Sequence, residues 1–233
     1  MFSDADEYDG QKGHLADPCI LISHPEGWLL WDTGIADDTA KHPIGNSFAR
    51  MARSQTLVEE LAALHLTPAD IKYLGLSHVH ADHTGNANLF THSAWLMQEK
   101  ELNYALAKPT PLGIEPATLS AQKTVKKNLL HGDLDVFGDG RVRIFSTPGH
   151  TPGHQSLMVQ LKDEGYVIFS GDLFHIRENL EQKRVPVYNT SRAETLASMD
   201  RVERLAKTYH ARVVVQHDAG DFGKLPKFPA FLK

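Results

Sequence analysis

Residues 77–85 read SHVHADHTG and place three histidines and one aspartate within six consecutive positions. The stretch follows the apolar run YLGL, so it lies where a strand is predicted to end. Side chains on an extended segment alternate, and His78 and His80 therefore project to the same side and can reach one metal ion. Asp82 and His83 fall on the turn that follows and are placed for a second ion. The spacing predicts a two-metal site.

Such a site needs further ligands at the ends of other strands. His150 follows the run VRIFSTPG, Asp172 follows YVIFSG, and His217 follows RVVVQ. Five imidazoles and two carboxylates suit Zn²⁺ better than Ca²⁺ or Mg²⁺, which prefer oxygen ligands. Two Zn²⁺ per chain are therefore expected, and iron, manganese or cobalt could use the same ligands.

The elements that must position these residues alternate between strands and helices. CILIS and WLLWDTG read as a β-hairpin around HPEG, and residues 34–53 read as a long loop. Thr56 and Glu59 form a capping-box pattern that predicts a helix over 56–65. TPADI is expected to make a short helical turn. YLGLS and AWLMQ are predicted strands, residues 99–107 a short helix, and 108–118 a loop.

The second half of the chain repeats this organisation. VRIFSTPG, HQSLMVQL, YVIFSG and RVVVQHD are predicted strands, and Ser191 with Glu194 begins the most regular helix. Strands in two groups, with helices after each group, indicate two sheets packed together with helices outside. Residues 1–233 are of a length suited to one α/β domain.

Composition limits the partners. The formal net charge is −5 and no Lys/Arg-dense tract is present, which argues against nucleic acid and anionic membranes as partners. No apolar stretch approaches the ~20 residues of a membrane span. Cys19 is the single cysteine and is expected to be a buried thiol. The expected location is the cytoplasm, with a processed secreted or periplasmic form left open.

The ligand pattern resembles the metallo-β-lactamase superfamily over about residues 19–218, including the WDTG turn at 31–34. The resemblance implies an αββα sandwich with the site at one edge of the sheets. It assigns the ligands of the first metal as His78, His80 and His150. It assigns those of the second as Asp82, His83 and His217, with Asp172 bridging the two. In TPGHTPGH it gives the ligand role to His150 and leaves His154 to orient a neighbour.

Smaller features favour one branch of that superfamily. WLMQEKELNYA at 95–105, TPGHTPGHQSL and the pair His217-Asp218 resemble the N-acyl homoserine lactonases. The resemblance implies hydrolysis of a small-molecule lactone ring, a quorum-quenching activity. Asp82 would pass a proton to the leaving alkoxide. Asp32 could orient a metal-bound imidazole or simply cap the WDTG turn.

Other functions stay open. Glyoxalase II has the same seven ligands but usually continues into a helical glutathione-binding region, whereas only residues 218–233 follow His217. The β-lactamases proper usually lack the Asp82 pairing. Another hydrolase of this superfamily, or a metal-stabilised binding module without catalysis, is the remaining alternative.

The chain departs from the lactonase pattern at two places. Few residues precede PCILIS, where relatives usually have a first strand, so that strand, and with it a sheet edge or part of a dimer contact, is expected to be missing. A homodimer stays open. His175 stands where many lactonases have tyrosine, and it is expected to donate a hydrogen bond to the oxyanion. The acyl chain needs an apolar groove, and the candidate residues for it are Phe48, Met51, Leu112 and Ile114. The alternative is that these four side chains are ordinary anchors of their loops in the core.

Overall fold

The computed structural model describes residues 2–45 and 49–233. They divide into two compact units: unit 1 comprises 2–16, 98–104 and 130–233, and unit 2 comprises 17–97 and 105–129. Each unit contains one five-stranded sheet and one part of the expected ligand set. The α/β class is confirmed, and the grouping of residues 1–233 into one domain stays a prediction.

The strands are β1 Ile20–His24, β2 Gly27–Trp31, β3 Ile44–Gly45, β4 Arg50–Met51, β5 Ile71–Gly75, β6 Ala94–Gln98, β7 Lys127–Leu130, β8 Leu134–Asp135, β9 Val142–Ser146, β10 Gln155–Leu161, β11 Gly165–Phe169 and β12 Arg212–Val214. The α-helices are α1 Leu57–Ala63, α2 Ala81–Thr84, α3 Glu99–Ala105, α4 Arg177–Gln182, α5 Arg192–Tyr209 and α6 Ala219–Phe222. Short 3₁₀ helices span Asp37–Ala40, Pro68–Asp70, Ala87–Leu89, Pro116–Lys123 and Gly171–Leu173.

The sheet of unit 2 has the order β1-β2-β5-β6-β7. The predicted hairpin forms, because β1 and β2 pair antiparallel. β2 then pairs parallel with β5, and β5 with β6. Carboxyl ends of parallel strands meet at one edge of a sheet, the usual position of ligands in α/β folds. The residues that follow β2 and β5 are therefore neighbours, and Asp32 N donates to Gly75 O at 2.8 Å.

Local capping sets the helix boundaries in unit 2. Thr56 Oγ1 accepts from Glu59 N at 3.1 Å, and Glu59 Oε2 accepts from Thr56 N at 2.8 Å, which confirms the capping box. The helix is shorter than predicted and ends at Ala63. The long loop expected over 34–53 is partly wrong, because it contains a 3₁₀ turn and the two-stranded ribbon β3–β4.

The sheet of unit 1 has the order β12-β11-β10-β9-β8. Its strands pair antiparallel except for the parallel pair β11–β12. The helix predicted from Ser191 is α5, whose N-terminus is capped by Ser191 Oγ accepting from Glu194 N at 3.3 Å. Met199 and Val202 on its buried face pack against Phe145, Met158 and neighbouring apolar side chains.

Some elements had too little sequence signal to predict. β8 has two residues, α6 has four, and α4 is six polar-rich residues without a Ser, Thr, Asp or Asn at its N-cap. The expected helix over 99–107 ends at Ala105, and the expected loop over 108–118 gives way to a 3₁₀ helix at Pro116. In the described ranges, no helix combines the length and apolar character needed to cross a bilayer.

Candidate active site

The histidine cluster of unit 2 consists of His78, His80, Asp82 and His83. It begins shortly after β5 and continues into α2, so the extended part carries His78 and His80 and the helical turn carries Asp82 and His83. His78 Nε2 and His80 Nδ1 lie 3.0 Å apart, and the His78 and His83 ring centroids are 4.1 Å apart. Two nitrogens on one tetrahedral Zn²⁺ lie about 3.3 Å apart, so the spacing suits a shared ion.

Asp32 and Ser77 hold the rings of this cluster from behind. Asp32 Oδ2 lies 2.9 Å from His83 Nδ1, and Asp32 Oδ1 accepts from Ser77 N at 2.6 Å. Ser77 Oγ is 3.0 Å from His78 Nδ1. All four residues are buried. Asp32 therefore fixes the orientation of the His83 ring, a kind of contact that proteins use to orient metal-binding imidazoles.

Unit 1 carries the Asp172 cluster, which consists of Asp172, His150, His175 and His217. Three Nε2 atoms surround the buried carboxylate: His150 at 3.4 Å and His175 at 3.1 Å from Oδ2, and His217 at 3.0 Å from Oδ1. The exposed fraction of each of the four residues is 6% or less. A buried carboxylate ringed by imidazoles is a donor set for a divalent metal.

The fold explains how residues far apart in sequence meet around Asp172. β11 and β12 are parallel, so the segments after them, which carry Asp172 and His217, leave the sheet at the same edge. His150 arrives on the loop between β9 and β10. Asp172 itself lies in a 3₁₀ turn directly after β11.

The contacts of His217 place a proton on one ring nitrogen and direct the other at Asp172. His217 Nδ1 is 2.6 Å from Ala16 O, and a carbonyl oxygen only accepts, so Nδ1 carries the proton. His217 Nε2 then faces Asp172 Oδ1 at 3.0 Å. A proton or a metal cation between these two atoms would satisfy both.

His154 is held in a different way from His150. Its Nε2 accepts from Asp172 N at 2.9 Å, and its Nδ1 lies 2.9 Å from Thr147 O, so both ring nitrogens are engaged by the backbone. A nitrogen that accepts from an amide is not directed at a metal. His154 therefore positions the backbone of Asp172, in agreement with the orienting role expected for it.

The four residues considered for the acyl groove have different surroundings. Leu112 is 79% exposed and Met51 is 40% exposed, whereas Ile114 is 9% exposed and belongs to the buried apolar residues. Phe48 lies outside the described residues. The burial of Ile114 favours the loop-anchor interpretation for that side chain.

Several residues that shape the site carried no sequence signal. Ser77 contacts His78 and His83, Thr147 contacts the ring of His154, and Asn179 accepts from the backbone of His175. Contacts of this kind depend on tertiary placement. Only Asp32 could be considered from sequence, because it stands in the WDTG turn.

Comparison with known proteins identifies the class. The sequence profile of the Metallo-beta-lactamase superfamily matches residues 15–217. The chain therefore belongs to the metallo-β-lactamase superfamily, and it has the metallo-β-lactamase fold.

Within that superfamily the chain is similar to N-acyl homoserine lactonases. It is 31% identical to N-acyl homoserine lactonase AttM of Rhizobium radiobacter, over 96% of this chain and 89% of that protein. It is 26% identical to N-acyl homoserine lactonase AiiA of Bacillus thuringiensis subsp. kurstaki, over 92% of this chain and 86% of that protein.

The chain is also similar to solved structures of N-acyl homoserine lactonases. A variant of B. thuringiensis AiiA with N-decanoyl-L-homoserine at its active site matches with a TM-score of 0.83 and 25% identity, covering 99% of this chain and 94% of that chain. An N-acyl homoserine lactone hydrolase with N-hexanoyl-L-homoserine at its catalytic metal centre matches with a TM-score of 0.82 and 25% identity, over 99% and 94% of the two chains.

Proposed function

We propose that the protein is a metal-dependent hydrolase that opens the lactone ring of N-acyl homoserine lactones, a quorum-quenching activity. The observation that carries the proposal is the similarity to N-acyl homoserine lactonase AttM along 96% of the chain. The buried imidazole and carboxylate donors in each unit support a hydrolytic metal centre. A metal-stabilised module without catalysis would not account for the similarity to enzymes.

The metal centre is proposed to contain two Zn²⁺ ions, with iron, manganese or cobalt able to replace them. The proposed ligands of the first ion are His78, His80 and His150. The proposed ligands of the second are Asp82, His83 and His217, and Asp172 contributes to both. The 3.0 Å spacing of His78 Nε2 and His80 Nδ1, and the 3.0 Å approach of His217 Nε2 to Asp172 Oδ1, support this assignment.

The reaction requires water to add to the lactone carbonyl carbon and the ring C–O bond to break. When bound, the ions supply a water of lowered pKa and an electrophile for the carbonyl oxygen. Asp82 stands on α2 beside His83 and is partly exposed, so it can pass a proton to the alkoxide that leaves. The product is the open N-acyl homoserine.

His175 is the proposed donor to the oxyanion. Its Nε2 lies 3.1 Å from Asp172 Oδ2, at the carboxylate around which the metal ligands gather. Among the described residues, its buried Nδ1 has no hydrogen-bond partner, so the ring is not committed to a structural bond on that side. A donor at this position would stabilise charge on the substrate oxygen.

The acyl chain is proposed to lie along apolar side chains of unit 2. Leu112 and Met51 are exposed enough to contact a ligand. Phe48 and Ile114 belong to the same proposal, Ile114 as a buried residue of the loop that carries Leu112. We propose a cytoplasmic protein with a small-molecule lactone as its partner, and neither nucleic acid nor membrane; a homodimer stays open.

Turnover of a substrate panel tests the proposal. The zinc-loaded protein should hydrolyse an N-acyl homoserine lactone with a far higher kcat/KM than S-lactoylglutathione, nitrocefin or a phosphodiester. A thioester as the best substrate would instead favour a glyoxalase II-like enzyme. The metal-depleted protein is the control and should hydrolyse none of them.

A further inference from the structure

The N-terminal segment, residues 2–8, packs on the rest of unit 1 through several polar contacts. Asp4 N donates to Val185 O at 2.8 Å, and Asp4 Oδ2 lies 2.5 Å from Arg192 Nε. Glu7 Oε2 lies 2.6 Å from Arg184 Nε. Ser3 is 1% exposed. A segment with paired charges and a buried residue has a defined position on this unit.

Asn179 connects this segment to the residue proposed as oxyanion donor. Its side chain is fully buried. Asn179 Nδ2 donates to Phe2 O at 2.7 Å, while Asn179 Oδ1 accepts from His175 N and from Ile176 N, each at 3.1 Å. One amide therefore binds the N-terminal segment with one atom and the backbone of His175 with the other.

Phe2 completes the surroundings of the His175 ring. The ring centroids of Phe2 and His175 are 5.6 Å apart with an interplanar angle of 39°. The rings of His150 and His217 lie at 5.0 Å and 5.9 Å from that of His175. His150 and His217 are proposed metal ligands. Phe2 is therefore the aromatic neighbour of His175 that is not itself a proposed ligand.

We propose that Phe2 and Asn179 are positioning residues of the active site, which hold the His175 ring against the Asp172 carboxylate. Asn179 fixes the backbone at His175, and Phe2 restricts the orientation of its imidazole. The N-terminal segment is then part of the catalytic apparatus. This proposal rests on the proposed function, because it acts through the oxyanion donor.

The first measurement is independent of activity. In zinc-loaded protein with labelled histidine, the His175 ring protons should carry a ring-current shift from Phe2, and Phe2→Leu should remove that shift. The His175→Ala variant assigns the resonance. An unchanged His175 resonance in Phe2→Leu would overturn the placement of Phe2.

The second measurement is a double-mutant cycle on kcat. Phe2→Ala and Asn179→Ala should each lower kcat for a homoserine lactone by about 10- to 100-fold, as expected when a catalytic group is displaced. In a His175→Ala background the same changes should have almost no effect, because their action passes through the missing ring. Equal losses in both backgrounds would overturn the proposal.

Two further variants separate positioning from stability. Asn179→Asp keeps the acceptor for His175 N and Ile176 N but cannot donate to Phe2 O, so it should lower kcat, though by less than Asn179→Ala, which loses both contacts. Wild-type kcat in Asn179→Asp would reduce Asn179 to a cap of α4 and contradict the link. Asn88 bridges Ala117 O and Ala121 N in unit 2 with the same two atoms. Asn88→Ala is the matched control and should lower Tm without any dependence on His175.

The two proposals fail in different ways. If wild-type protein hydrolyses no lactone, the proposed function is wrong, and the His175 resonance still decides where Phe2 lies. If lactones are hydrolysed but the cycle shows no coupling to His175, the function stands and the positioning role is wrong.

Discussion

Asp32 contacts the histidine cluster through its carboxylate, whose Oδ2 lies 2.9 Å from His83 Nδ1 and orients that ring. Asp32→Asn keeps the shape and one acceptor but replaces the charged partner of His83. We expect metal affinity to fall by about 10- to 100-fold, the usual effect of removing a group that orients a ligand. Competition with a chromophoric chelator measures this affinity.

The chain contains a matched control for that change. Asp38 and His42 make a similar contact at 3.0 Å, but both side chains are exposed. Asp38→Asn should leave metal affinity unchanged, since an exposed pair contributes little. Equal metal affinity in wild type and Asp32→Asn would contradict the orienting role.

Cys19 was expected to be a buried thiol, and the structure leaves this residue partly exposed while surrounding its thiol with protein atoms. Desolvation raises the pKa of the Cys19 thiol well above its ordinary value, and the carboxylate of Asp17 raises it further. The thiolate is the reactive form, so a raised pKa leaves less of it at a mildly alkaline pH. Iodoacetamide should therefore alkylate Cys19 much more slowly in folded than in urea-unfolded protein. Equal rates would show that the thiol is not protected.

Residue types and spacing predicted the candidate ligands but not the groups that hold them. The cluster at residues 78–83 was visible because its chemistry is concentrated in one stretch. The contacts of Asn179 with Phe2 join positions at opposite ends of the chain, and such pairings follow from packing alone. The distinction between His150 and His154 rested on a family pattern, and the hydrogen bonds of His154 now give it a physical reason.

At the scale of elements, the loop that contains Gly113 can lie close to the histidine cluster only because residue 113 is a glycine. Gly113 has φ +84°, and a Cβ there would lie 2.6 Å from His80 Cδ2. Gly113 O also accepts from Ala81 N at 2.9 Å, which ties the loop to α2. Gly113→Ala should therefore displace the His80 imidazole and weaken metal binding.

Gly138 separates this steric effect from backbone strain. It has φ +83°, and a Cβ added there would meet no other atom within 4 Å, so Gly138→Ala introduces the same strain without the clash. Both variants should lose roughly 1 kcal/mol of stability from the left-handed backbone. Only Gly113→Ala should bind zinc more weakly, and equal zinc affinities for the two variants would contradict the role of Gly113.

The motif Gln98-x-x-Glu101, which suggested the lactonase family, has a structural purpose in unit 1. Glu101 Oε2 accepts from Gly153 N at 2.8 Å, and Gln98 exchanges hydrogen bonds with the backbone of Gly132. Both side chains are buried. Glu101 thereby fixes the loop 147–154, which carries His150 and His154, and Gln98 fixes the turn at Gly132.

For the whole molecule, hydrophobic periodicity and capping residues predicted most strands and two local features of the fold. The hairpin β1–β2 and helix α5 formed as expected, because apolar runs and capping residues specify them locally. β7 and β8 were not predicted, since short polar-rich strands are specified by their neighbours in the sheet rather than by their own residues. The ribbon β3–β4 escaped prediction for the same reason.

Metal-dependent turnover tests the central claim most directly. Metal-depleted protein should be titrated with Zn²⁺ while hydrolysis of an N-acyl homoserine lactone and bound metal are measured together. The account predicts that activity reaches its maximum at about two ions per chain, as expected from two ligand sets. It also predicts that the Asp172→Asn variant binds the two Zn²⁺ ions weakly and loses most of its turnover. Full activity at one ion per chain, or full activity in Asp172→Asn, would contradict it.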